Sequence, residues 1–144
     1  PMHINFENRL ELVGYALTDL SPLAGDTLEL TLYWRGLQPM DTVYKIFANV
    51  LDPQTLTKYA ASDVMPAQWQ RPTTTWTPGE IIEDTHNLSI DPATPPGIYE
   101  LELGLYHEAP DGTFPRLRIV TPDGGMANNF IYLSRVRVLP REDS

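Results

Sequence analysis

From Thr27 to Arg35 this chain alternates polar and apolar residues without a fault. Leu28, Leu30, Leu32 and Trp34 fall on one side, and Thr27, Glu29, Thr31, Tyr33 and Arg35 on the other. A helix would scatter that pattern around its circumference, whereas a strand gathers it onto two faces. The segment therefore reads as a half-buried antiparallel strand. Ile98 to His107 repeats the pattern, with Tyr99, Leu101, Leu103 and Leu105 inward and Glu100, Glu102 and Gly104 outward. Val43–Leu51 is apolar on both faces and reads as a central strand. Further strands are expected at Leu10–Leu17, Lys58–Val64, Ile81–Ile90, Leu117–Val120 and Phe130–Leu139, with a short edge strand at Ile4–Phe6.

Turn chemistry separates these segments: Ser21-Pro22 through Gly25-Asp26, Asp52-Pro53, Thr77-Pro78-Gly79-Glu80, Pro95-Pro96-Gly97, Asp111-Gly112 and Asp123-Gly124-Gly125. The 14 prolines among 144 residues leave little room for long helices. About eight short strands without a helical period predict an all-β fold, an antiparallel β-sandwich of immunoglobulin-like or jelly-roll-like type. The length fits one domain, expected over 1–139, with a frayed tail at 140–144.

Composition removes several function classes. A formal net charge of −9 argues against nucleic acid and against anionic lipid as partners. The absence of cysteine excludes disulfides, thiolate metal sites and thiol nucleophiles. No apolar run approaches the ~20 residues of a membrane helix, so no insertion by this segment is expected. No serine lies in a Gly-x-Ser-x-Gly elbow, and no glycine-rich phosphate loop is present.

The remaining polar candidates are few. Asp84 and His86 lie two apart on one inward strand face, and His107 ends the inward row of another. The three could ligate a divalent metal. The competing expectation is structural, with Asp84 bonding turn amides and His86 packed with its polar tip satisfied. The spacing fixes no third ligand, so neither metal nor cofactor is expected. Glu100 and Glu102 share an outward face roughly 6.5–7 Å apart by strand rise, near the spacing of an inverting glycosidase pair. Nothing in the sequence supplies the pocket that would raise an acid's pKa, so no catalytic residue is expected.

Aromatic residues give a sharper lead. Trp34 is inward and belongs to the core. The longest irregular stretch, Pro66 to Trp76, carries Trp69 and Trp76, with Asp63, Asn49 and Tyr106 as possible polar neighbours. Rings that cover the C–H face of a sugar beside amides and carboxylates form a carbohydrate site. The structural alternative makes Trp76 a plug at the end of the sandwich.

One order of motifs resembles a known family. It runs Phe6-Glu7-Asn8, Leu10 to Tyr15, Ala24-Gly25-Asp26, Leu30 to Trp34, Tyr44 to Phe47, Leu51-Asp52, Asp63, Pro66 and Trp76 to Glu80. Asp84, Pro96 to Tyr99, Gly104-Leu105-Tyr106 and Pro115-Arg116-Leu117 complete it. The series resembles the soluble C-terminal β-sandwich of bacterial multi-spanning glycosyltransferases similar to dolichyl-phosphate-mannose protein mannosyltransferases. That family often carries His where this chain has Asn49. The resemblance implies a non-catalytic accessory domain on the extracytoplasmic face of a bacterial membrane. Its implied partners are a glycan or the parent's own membrane domain. The alternative is a purely structural immunoglobulin-like domain packing on that membrane domain or on a partner protein. The acidic surface leads to an expectation of neutral or cationic glycans over uronic acid polymers.

Overall fold

The computed structural model describes residues 2–64 and 70–140, leaving the side chain of Val64 undescribed. Eight strands follow in order: β1 (Ile4–Phe6), β2 (Leu10–Leu17), β3 (Thr27–Gly36), β4 (Lys45–Leu51), β5 (Lys58–Val64), β6 (Ile81–Ser89), β7 (Gly97–Tyr106) and β8 (Ile131–Val138). They form two antiparallel four-stranded sheets, β1-β2-β3-β6 and β5-β4-β7-β8. Among the described residues the only helical element is one 3-10 turn at Thr73–Thr75. The expected all-β sandwich is what forms.

The inward faces are those the alternation marked. Leu28, Leu30, Leu32 and Trp34 of β3 are buried against Ile46, Ala48 and Val50 of β4 and Leu101, Leu103 and Leu105 of β7 in one core. Each buried leucine contributes roughly 1.5–3 kcal/mol relative to exposure. Trp34 sits at the centre with no exposed surface, its ring edge-on to Phe6 at 5.8 Å. Thr77-Pro78-Gly79-Glu80 closes as a turn, with the Glu80 N–H donating to the Thr77 carbonyl at 2.9 Å and Gly79 at φ +90°. Proline before a positive-φ glycine is the sequence demand of a type II turn.

Two local departures matter. In β2 the pairing with β3 skips Val13, so Leu12 opposes Trp34 while Gly14 opposes Tyr33. This bulge switches the inward parity from Leu10 and Leu12 to Tyr15 and Leu17, which pack against the core. The expected strand at Leu117–Val120 does not form as a continuous ladder. Leu117 donates to Leu105 of β7, whereas Ile119 bridges Phe6 of β1. The segment crosses from one sheet to the other, so neither sheet can claim it whole.

Candidate functional site

The outer face of the second sheet holds an open cleft of about 420 Å3, lined by Phe47, Asn49, Lys58, Ala61, Asp63, Tyr106, Phe114 and Arg116. Strand geometry explains its floor. Ile46, Ala48 and Val50 point into the core, so Phe47 and Asn49 point outward, where β5 and β7 flank them. Its wall comes from the excursion after β7. His107 donates to the Pro115 carbonyl and Ala109 to the Thr113 carbonyl, closing a hairpin that turns at Asp111-Gly112. The Asp111 carboxylate accepts from the Thr113 hydroxyl and N–H, and these bonds hold its pKa below the usual carboxylate value. This hairpin delivers Phe114 and Arg116 over the floor.

The rings form a connected platform. Phe114 meets Tyr106 edge-on at 5.9 Å and is 60% exposed. Tyr106 lies 6.4 Å from Phe47, and the Arg116 guanidinium sits 4.5 Å above the Phe47 ring. Tyr106 donates its phenol proton to Asp63 Oδ1 at 2.6 Å. Burial of the phenol, together with the bond to Asp63 and its charge, pushes its pKa up to about 12, so it keeps its proton throughout the neutral range. The Asn49 side-chain amide donates to Glu102 Oε1 at 2.9 Å, which fixes the orientation of an otherwise buried amide.

Gly104 makes the floor possible. A Cβ there would stand 2.5 Å from Phe47 Cε2, closer still to Cζ, and 3.1 Å from the Asn129 carbonyl oxygen. Gly104→Ala should therefore push the Phe47 ring out from under Arg116 and cost roughly 1–3 kcal/mol, as overpacking does. Urea unfolding measures this. A cost below ~0.5 kcal/mol would mean that Phe47 does not lie across Gly104.

The sequence candidates divide. Asn49, Asp63 and Tyr106 meet in the cleft. Trp76 does not join them. Its ring is buried beside Gly36, and its indole N–H donates to the Arg71 carbonyl at 2.9 Å, which leaves no face for a ligand. Trp69 lies outside the described residues. Phe47, Lys58, Phe114 and Arg116 were not singled out from sequence. The only signal for the floor was that Val43–Leu51 is apolar on both faces, which implies that something covers its outer side.

The histidines also separate. His86 Nε2 lies 2.7 Å from Asp84 Oδ2, and the same oxygen accepts the Trp34 indole N–H at 3.2 Å. His86 Nδ1 lies 2.9 Å from the Ser62 hydroxyl on β5, so the network joins the two sheets at their shared edge. Asp84 thus bonds buried side chains from mid-strand. The order hydroxyl, imidazole, carboxylate is that of a serine triad. Here the imidazole and carboxylate have no exposure, and the half-buried Ser62 on the edge strand β5 engages the imidazole with its hydroxyl. His107 stands apart, stacked edge-on to Tyr44 at 5.6 Å. No group of three metal-ligating side chains occurs among the described residues. Glu102 holds Asn49 and Glu100 pairs with Arg135 at 3.3 Å, so each carboxylate has a protein partner.

No protein-family model matches the chain, and no curated protein matches it by sequence. Among solved structures, the C-terminal domain of Wzt superimposes with a TM-score of 0.63 at 9% identity, covering 100% of this chain and 81% of that one. The two share a β-sandwich fold. Spo0M, a sporulation control protein from Bacillus subtilis, is more distant, with a TM-score of 0.43 at 10% identity, covering 94% of this chain and 50% of that one.

Proposed function

We propose that this chain is a non-catalytic accessory domain that binds saccharide in the cleft of the second sheet. One observation carries the reading: the Phe114 and Tyr106 rings and the polar groups of Asn49, Asp63 and Arg116 converge on one concave surface, floored by Phe47 beneath Arg116. A sugar needs that pairing, an apolar face for its C–H groups and oriented donors and acceptors for its hydroxyls. The Wzt neighbour is itself the C-terminal domain of a larger protein, the setting proposed here. The sandwich is read as immunoglobulin-like because β3 pairs with β6 and β4 with β7. The parent is taken to be a membrane glycosyltransferase-like protein, with this domain on the extracytoplasmic face. That part rests on the motif resemblance alone.

The test is calorimetric titration with defined oligosaccharides of two to six units, neutral and acidic. A single stacked ring with exposed hydrogen bonds should bind at about millimolar to tens of micromolar. Phe114→Ala should weaken binding roughly tenfold, about 1.4 kcal/mol, without lowering stability, because that ring is largely exposed. If no saccharide binds at several millimolar, the structural reading replaces this one.

A further inference from the structure

We propose that the cleft selects saccharides bearing an anionic group, a carboxylate or a phosphate, and that Arg116 is the residue that receives it. The inference rests on the saccharide-binding reading and names its ligand class.

The charge of the whole chain points the other way, since a net −9 would repel an acidic ligand. The cleft differs from the chain. Its lining carries two cations, Lys58 and Arg116, and one carboxylate, Asp63, which already accepts the Tyr106 phenol. Among the described residues neither Lys58 nor Arg116 forms an ion pair, whereas Arg35, Arg71 and Arg135 each pair with a glutamate. Glu102 and Glu108 stand beside this lining, and Glu102 is engaged by the Asn49 amide. Charges beyond about 8 Å are largely screened at physiological salt, so what favours an acidic ligand is the pair of cations without a carboxylate partner rather than the net charge around the cleft.

Arg116 is also prepared for the task. Its guanidinium rests on the Phe47 ring, which restrains the plane and leaves the N–H edge without a carboxylate partner. Arginine presents a planar fork that matches a carboxylate or phosphate in two parallel bonds. Stacking holds the fork in place before the ligand arrives, which reduces the ordering cost of binding. Phe114 stands on the same hairpin, two residues away, so a sugar ring against Phe114 would bring a ring substituent to Arg116.

The experiment uses matched pairs: oligogalacturonides against their methyl esters, and sugar phosphates against the unphosphorylated sugars. Inorganic phosphate alone serves as a third arm. Calorimetry on the full 144-residue chain should find the acidic member of a binding pair at least tenfold tighter at low salt. The ratio should shrink toward one in 0.5 M salt and in Arg116→Gln. Arg116→Lys should recover only part of it, because the charge returns without the fork. Phe114→Ala should weaken both members equally. Whichever pair shows the larger ratio distinguishes carboxylate from phosphate. Equal or tighter binding of the uncharged members would overturn the proposal while leaving the saccharide reading intact. Inorganic phosphate binding as tightly as the sugar phosphate would overturn it as well, by showing an ion site without sugar recognition. No binding in any arm would remove both readings together.

Discussion

Trp34→Ala should destabilise the domain by about 3–5 kcal/mol, the range for deleting a core aromatic. The indole has no exposed surface, packs on Phe6 and lies among the inward leucines of both sheets. Its removal leaves a cavity that the two sheets, held by their ladders, can close only in part. It also takes one donor from Asp84. Trp34→Phe separates the two contributions, keeping most of the ring while losing the N–H, and should cost roughly 1–3 kcal/mol from the carboxylate left short of a partner. Both are read from urea unfolding at constant m. A loss below ~1 kcal/mol for the alanine variant would show that the inward face of β3 is not where the core lies.

Asp84→Ala should be as damaging, at about 3–5 kcal/mol, although it deletes few atoms. The carboxylate is the common acceptor for His86 and Trp34, both buried, and its loss strands their donors in an apolar interior. The imidazole then keeps only Ser62. Groups that share one network couple, so Asp84→Ala with His86→Ala should cost about 0.5–3 kcal/mol less than the sum of the singles. A strictly additive pair would contradict the network. Such networks do not have to add stability over an apolar replacement. The position of this one, joining β5 to β6 through Ser62 and His86, ties the two sheets together at an edge where no backbone ladder can.

Much of the fold was legible because it depends on local alternation. The side-chain period of a strand is two, so Thr27–Arg35 and Ile98–His107 declare their inward faces without reference to any other part of the chain. Proline and glycine marked the turns for an equally local reason, since each restricts or frees its own φ. The sequence also put Asp84 and His86 on an inward face, where burial of ionisable groups requires partners. It could not name those partners, because Trp34 and Ser62 come from other strands.

The tertiary structure decided what depends on distant residues meeting. The bulge at Val13 reverses the parity of β2, which alternation alone cannot reveal because the register belongs to the partner strand. The Leu117–Val120 segment looked like a strand by composition, but its hydrogen bonds are divided between two sheets. Trp76 could be read from its loop as ligand platform or as plug, and the burial of its ring beside Gly36 makes it the plug. The cleft itself joins β4, β5 and β7 to the hairpin that follows β7. Asn49, Asp63 and Tyr106 could be suspected singly from their chemistry. That Phe47 would carry Arg116, and that Gly104 would make space for both, follows only from the outer face of one sheet being covered by a chain excursion sixty or so residues downstream. The sequence determined which side chains face in and which face out. Which outward side chains share a surface was settled by strand order and chain crossing, since those bring together residues that no local pattern relates.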